Sequence, residues 1–365
     1  MSNQFSAQDR KMMRRCFQLA RKGQARVHPN PMVGAVIVKN GRIIGEGYHH
    51  YFGGPHAEVE AFRHAREEVS GATLYCNLEP CCHTHKKTPP CTPLIISKKI
   101  KRVVICNLDP NPQVNGKGVQ QLRQAGITVE TGLLSAEGEE LNRFFFVSMR
   151  EQRPYVTVKV AQSTDGFIAA ERGKQTWLSG QPAVRYVHRL RSFHDAVLVG
   201  AGTISVDDPQ LTVRLARGPN PKRVVLSPTL RLPLNATVFN DDHRQSTIVI
   251  TSELAGKDKL KKLQEQGVIV RSFPGTSEGK LELGLILKVL WQEFDIHSVL
   301  VEGGQKIFSA FLQEKRWDEW IVLQTPKILG RGVPVFSDVP AQTFSLKGLR
   351  KLGDDVALIY RPKEK

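Results

Sequence analysis

Met12, Met13, Cys16, Phe17 and Ala20 recur at helical spacing through residues 9–21, with charged residues between them. That period predicts an amphipathic helix, stopped near Gly23. Beyond the proline-rich Val27-His28-Pro29-Asn30-Pro31 the apolar runs shorten. Residues 33–39 and 42–48 read as strands, and Asn40-Gly41 between them is a strong hairpin signal. Helices are expected over 56–69, 90–97, 117–124 and 136–149, and strands over 73–78, 102–106 and 128–130. Elements that alternate in this way predict a layered α/β domain.

The polar run Arg150-Glu151-Gln152-Arg153-Pro154 ends on a proline and separates two domains, 1–150 and 151–365. Before it stand Phe144, Phe145 and Phe146, an aromatic run read as core at the junction. After it, strands are expected at 155–160, 196–199, 223–226, 247–250, 267–270 and 298–301. Helices are expected over 182–191 and 307–313. Residues 206–214 read as a loop holding two acids and a terminal arginine. The second half is again α/β.

Composition is that of a globular protein, 40% hydrophobic and 24% charged in 365 residues. All six cysteines fall within the first 106 residues, a clustering that suits a metal site better than a disulfide framework. A reducing, cytoplasmic setting is expected. The net charge of +17 is spread over both halves without a basic tail, which points to anionic small molecules. Residues 1–26 are too polar for a secretory signal, and no apolar run is long enough to span a bilayer.

The chemistry concentrates between Pro55 and Cys91. Pro55-His56-Ala57-Glu58 is followed by Leu78-Glu79-Pro80-Cys81-Cys82 and then Pro89-Pro90-Cys91. One imidazole and two thiols suit zinc with an open fourth position, and a carboxylate that is not a ligand suits proton transfer. Glu58 is the candidate acid–base group. The ligand after Pro80 is Cys81 or Cys82, with Cys81 favoured. The competing expectation is a closed structural site drawn from His56, Cys81, Cys82, His83, His85 and Cys91, which gives Glu58 no task. Asn30 suits a base edge or a plain turn. His49 and His50 suit a loop or a substrate contact. In the second half, Val301-Glu302-Gly303-Gly304 leads from a strand into a helix, where backbone N–H groups can meet a phosphate. A plain tight turn fits it equally well.

The first domain resembles the cytidine-deaminase superfamily. The wider set of phrases resembles the bifunctional deaminase/reductase family of riboflavin biosynthesis over nearly the whole chain. In the first half it is carried by His28-Pro29-Asn30-Pro31-Met32-Val33-Gly34, Pro55-His56-Ala57-Glu58, Leu78-Glu79-Pro80-Cys81, Thr88-Pro89-Pro90-Cys91, Asp109-Pro110-Asn111-Pro112 and Asn142-Arg143-Phe144-Phe145. In the second half it is carried by Ser163-Thr164-Asp165-Gly166, Asp207-Asp208-Pro209, Leu211-Thr212-Val213-Arg214 and Val301-Glu302-Gly303-Gly304. The resemblance implies a three-layer cytidine-deaminase-like domain followed by a dihydrofolate-reductase-like α/β domain. It implies zinc held by His56, Cys81 and Cys91, with Glu58 shuttling protons. It implies NADPH at Ala161, Trp177, Thr203 and Asp207 and along Gly304, Gln305, Lys306, Ile307, Phe308, Ser309 and Ala310. It implies substrate contacts at Gln175, Arg191, Leu211, Arg214 and Glu302. The implied substrate is a diamino-pyrimidinone ribosylamine phosphate, first deaminated and then reduced at the ribosyl group by a homo-oligomer, dimer or tetramer, without nucleic acid or membrane. The chain departs from the family in two places: the Cys81–Cys91 loop is one residue longer than the commonest form, and Gln175 stands where many members have serine. A tRNA-editing deaminase and a zinc-stabilised nucleic-acid binder are the alternatives, and both leave the second half's motifs unexplained.

Overall fold

In a computed structural model the chain divides after Gln152, and the structure describes residues 5–83, 88–275 and 281–363. The first unit contains α1 (Ala7–Ala20), β1 (Gly34–Lys39), β2 (Arg42–Tyr48), α2 (Ala57–Arg63), β3 (Thr73–Leu78), α3 (Cys91–Ser97) and β4 (Arg102–Asn107). It continues through α4 (Lys117–Gln124), β5 (Thr128–Thr131), α5 (Ser135–Leu141) and α6 (Arg143–Glu151). The sheet order is β2-β1-β3-β4-β5, antiparallel on the β1 side and parallel from β3 to β5.

Both faces of this sheet are apolar, so successive strand residues serve opposite cores. Ala35, Ile37, Leu74, Val103 and Ile105 pack with Ala57 and Ala61 of α2, Ile95 of α3 and Leu122 of α4. Val36, Val38, Tyr75, Val104 and Cys106 pack with Met12, Met13, Cys16 and Phe17 of α1. Three layers result. In β2, Gly47 lets α2 approach closely, since a Cβ there would stand 2.3 Å from the Ala61 nitrogen and 2.4 Å from the Ala57 oxygen.

A buried polar cluster pins α1 to the sheet. Ser6 and Asp9 form a capping box at the helix start. Asp9 also accepts hydrogen bonds from the Tyr75 hydroxyl and Arg102 Nη1, both at 2.7 Å. Burial acts to raise the Asp9 pKa, but the bonds from Arg102, Tyr75 and Ser6 outweigh it and hold the carboxyl below its ordinary range. A carboxylate depressed in the folded state stabilises above its unfolded pKa, and that contribution is lost as pH falls toward the folded value. The gap in melting temperature between the parent and Asp9→Asn is therefore expected to be full at neutral pH and to narrow below about pH 4. A gap that stays constant on acidification would remove this role.

Two helices differ from the apolar pattern. α2 stops at Arg63 because the Arg66 amide turns to the Ile44 carbonyl in β2, at 2.9 Å. The expected 136–149 helix is two helices. At Asn142 the side-chain amide pairs with the Met32 backbone, accepting its N–H at 2.8 Å and donating to its carbonyl at 2.9 Å. Phe145 and Phe146 then pack with Leu78 inside this unit.

The second unit begins with β6 (Tyr155–Gln162), β7 (Phe167–Ala169), α7 (Gln181–Phe193), β8 (Ala196–Gly200), α8 (Ala201–Asp207), β9 (Lys222–Leu226), α9 (Thr237–Asn240) and β10 (Thr247–Ser252). It continues with α10 (Lys257–Glu265), β11 (Ile269–Phe273), α11 (Leu283–Phe294), β12 (Ser298–Val301), α12 (Gln305–Gln313) and β13 (Glu319–Gln324). β14 (Val333–Pro334), β15 (Phe344–Leu352) and β16 (Asp355–Pro362) end it. The main sheet runs β11-β10-β9-β8-β12-β6-β13-β16-β15. Its first seven strands are parallel, and β16 and β15 add an antiparallel edge. From β6 the chain moves out through β8 to β11, then returns to insert β12 between β8 and β6. The carboxyl ends of β6, β12 and β8 therefore lie side by side, which is where doubly wound sheets bind ligands. Among the described residues no helix is long and apolar enough to cross a membrane.

Candidate active sites

In the first unit, His56 is the N-cap of α2, in extended backbone, and Glu58 is the second residue of that helix. Cys91 opens α3 after Pro90, and Cys81 follows β3. This brings the ligand atoms of His56, Cys81 and Cys91 within 4.8 Å of one another. His56 Nδ1 is 3.4 Å from each sulfur. Zinc bonds of about 2.3 Å to sulfur and 2.0 Å to nitrogen at a tetrahedral angle separate the two atoms by about 3.5 Å, so the donor set fits zinc. The Thr88 hydroxyl lies 3.0 Å from His56 Nε2. A proton on Nε2 leaves the Nδ1 lone pair facing the thiols, as a metal-bound histidine requires.

Among the described residues, neither Cys82 nor His83 joins this group, and His85 lies outside them. Cys91 and Glu58 are buried, whereas His56 and Cys81 are partly exposed, so the cluster faces solvent on one side. Cys81→Ser is expected to lose bound zinc and Cys82→Ser to keep it, as metal analysis of the two purified variants would read. The reverse would exchange the two thiols.

Two further residues shape this site and are ambiguous in the sequence. Glu79, buried, accepts the amides of Asp109, Gly116 and Val119 at 2.9–3.1 Å and so braces the turn that carries Cys81. His49, also buried, stands between the Pro55 carbonyl at Nδ1 and the Asn30 amide nitrogen at Nε2, at 2.9 and 3.0 Å. Burial pushes its pKa down, with His56 and His50 adding to the effect and the Pro55 bond opposing it. A neutral ring that donates to Pro55 accepts from Asn30, which turns the Asn30 amide oxygen the other way.

In the second unit the candidates gather at the switch point. Ala161 is the last residue but one of β6, Thr203 and Asp207 lie on α8 after β8, and Gly304 to Ala310 follow β12. Gly303 packs so closely that a Cβ would stand 2.6 Å from Val199 Cα. Gly304 has φ +75°, and its missing Cβ would lie 3.4 Å from the Thr203 hydroxyl. This bare turn opens the nine-residue α12, a start that suits the pyrophosphate of a dinucleotide. The side chains of Phe308 and Ser309 are buried, and Phe308 belongs to the core, so the backbone around Gly304 to Ile307 is what faces outward. Gln175 hydrogen-bonds Asp207. Trp177 is 73% exposed, and its carbonyl accepts from Lys327.

Glu302 and Arg191 form a buried bidentate pair at 2.6 and 2.8 Å, and Arg191 also donates to the Thr212 carbonyl at 3.1 Å. Burial would raise the Glu302 carboxyl, and Arg191 first, then Lys159, bring it below the usual range. Lys159 on β6, overlooked in the sequence, has its pKa lowered by burial. A lysine inside an otherwise apolar strand was the available signal. Arg214 donates from Nη1 to Gln210 Oε1 and the Thr212 hydroxyl, both at 2.7 Å. Leu211 buries its side chain in the core, leaving its backbone for any ligand.

Residues 6–107 match the cytidine and deoxycytidylate deaminase zinc-binding region, and residues 154–358 match the RibD C-terminal domain. The chain is 43% identical to the riboflavin biosynthesis protein RibD of Aquifex aeolicus (strain VF5) over 360 residues, 97% of this chain and 98% of that one. It belongs to the RibD family. The Acinetobacter baumannii RibD structure, form 1, has a TM-score of 0.89 at 37% identity, covering 98% of this chain and 99% of that one. A Thermotoga maritima structure has a TM-score of 0.82 at 41% identity, covering 97% and 99%. It is described as a diaminohydroxyphosphoribosylaminopyrimidine deaminase/5-amino-6-(5-phosphoribosylamino)uracil reductase. As a RibD-family protein, the chain is a bifunctional deaminase and reductase of riboflavin biosynthesis that uses zinc and NADPH.

Proposed function

We propose that the first unit deaminates diaminohydroxyphosphoribosylaminopyrimidine and that the second reduces the ribosyl group of 5-amino-6-(5-phosphoribosylamino)uracil to ribityl, the two reactions in the Thermotoga maritima protein's description. The observation that carries the reading is the three-ligand cluster of His56, Cys81 and Cys91 beside the buried Glu58, on a chain whose second unit has a bare glycine turn at its switch point. Zinc bound by those three residues would lower the pKa of water toward neutrality. Glu58 would take one proton from the attacking water and give it to the ring nitrogen, then carry a second, from the hydroxyl newly added to the ring carbon, to the departing amine. Asn30, oriented by His49, presents its amide oxygen to the ring edge.

NADPH held in this unit would supply the hydride that the anomeric carbon accepts. The bond from that carbon to the ring oxygen breaks, and the oxygen takes a proton. The Lys159 ammonium is the group suited to deliver it, and the Glu302 carboxylate, held ionised by Arg191, favours that charged form. Ala161, Thr203, Asp207, Trp177 and the start of α12, from its Gly304 cap through Ala310, would hold the cofactor. Gln175, Arg191, the Leu211 backbone, Arg214 and Glu302 hold the substrate. Arg214 is suited to grip the phosphate as a fork. Arg214→Ala is expected to raise KM for the phosphorylated substrate at least about tenfold, the cost of a lost charge-assisted contact, with kcat nearly kept. An unchanged KM would remove Arg214 from the phosphate site.

The function is tested by giving the purified protein the diamino substrate and NADPH and following ammonia and nicotinamide absorbance together. Ammonia release followed by NADPH oxidation supports both steps. Ammonia without oxidation removes the reductase reading. The proposal includes a homo-oligomer, dimer or tetramer, which light scattering reads directly. It also includes a cytoplasmic setting, supported by six cysteines, all among the described residues, none of which is in a disulfide.

A further inference from the structure

The segment between α8 and β9 contains two non-glycine residues in left-handed backbone, Asp208 at φ 40° and Leu211 at φ 55°. For an L side chain such a conformation costs about 1–2 kcal/mol per residue, so the surroundings must hold it. The Asp208 carboxylate accepts from the Thr237 amide and hydroxyl, both at 2.7 Å. The Gln210 carbonyl accepts from Arg223 at 3.3 Å, and Arg223 is itself buried in a pair with Asp241. The Thr212 carbonyl accepts from Arg191 at 3.1 Å. The last hold falls on Arg214, whose backbone N–H donates to His188 Nδ1 at 3.0 Å.

His188 is buried on α7, one turn before Arg191. The helix that pairs Arg191 with Glu302 thus also fixes the backbone of Arg214. We propose that His188 is a positioning residue for the reductase substrate: by accepting the Arg214 N–H it sets where the guanidinium meets a phosphate monoester. The inference rests on the reading of Arg214 as the phosphate ligand. Nδ1 accepts only when it carries no proton. Burial, joined by the charges of Arg191 and Arg214, pushes the imidazole down to about 4, while Glu302 and the Thr212 carbonyl pull the other way. The ring is therefore neutral near pH 7 and keeps its lone pair.

The test measures reduction by the full-length protein, at saturating NADPH, for His188→Leu, His188→Asn, Arg214→Ala and the His188→Leu/Arg214→Ala double variant. His188→Leu is expected to raise KM for the phosphorylated substrate up to about tenfold, the upper end for one lost neutral hydrogen bond, and to leave kcat and the KM for NADPH within about twofold. His188→Asn, whose Oδ1 can stand near the Nδ1 position, restores most of the loss. The double variant should be no worse than Arg214→Ala, because the two residues act through one contact.

A normal KM in His188→Leu with a raised KM in Arg214→Ala overturns the inference and leaves the phosphate site standing. A normal KM in Arg214→Ala overturns the phosphate site and the inference with it. A fall in kcat and melting temperature that His188→Asn does not repair makes the residue a support of the fold alone, and overturns the inference.

Discussion

Glu58→Gln is expected to keep its zinc and to lose deamination by about 10²–10⁴-fold, the range a positioned acid–base group supplies. The substitution preserves size and shape at a buried position, so α2 and its His56 cap stay in place. His56, Cys81 and Cys91 are untouched, and metal content should not change. What disappears is the carboxylate's ability to accept a proton from water and return it to the leaving amine. Reduction of ready-made deaminated substrate should proceed at the parent rate, because its residues lie in the other unit. Parent-like ammonia release would take Glu58 out of the proton path. Loss of zinc would instead make it a support of the metal site.

Glu302→Leu is expected to abolish reduction and to cost the second unit about 3–5 kcal/mol, the penalty for stranding a buried charge. Arg191 and Glu302 are both nearly covered, with side chains 12% and 8% exposed. Lys159 adds a second cation whose charge Glu302 stabilises. Glu302→Gln separates the two effects. It keeps the shape and one acceptor for Arg191, so the melting temperature should fall less, while reduction still fails for want of the carboxylate. Ammonia release from the first unit should persist in both variants. Calorimetry and coupled absorbance would read these outcomes, and a Glu302→Gln variant that oxidises NADPH normally would contradict the assigned role.

The grouping of His56, Cys81 and Cys91 was legible because its residue types are chemically restricted and lie within one short stretch, on elements whose apolar periods are clean. β3 is buried along nearly its whole length, and Pro90 marks the start of α3. Harder to read were the features whose partners come from far along the chain. The break at Asn142 depends on Met32, and the roles of His49 and His188 depend on Asn30 and Arg214. A lone histidine carries no sign of such a partner. The β15–β16 hairpin escaped the pattern because it forms the sheet's edge. Leu346 and Leu349 of β15 are exposed, so the apolar alternation that marks a buried strand is missing. The turn at Gly303-Gly304 was visible as a motif. Its value as a binding element became clear only when the sheet order set β12 between β6 and β8.

The most direct test is X-ray absorption at the zinc edge of the native protein, paired with metal stoichiometry. The account predicts one zinc per chain in a shell of two sulfurs, one imidazole nitrogen and one exchangeable oxygen, with the oxygen replaced when a substrate analogue binds. A protein without metal, or a zinc enclosed by four side chains, would contradict it.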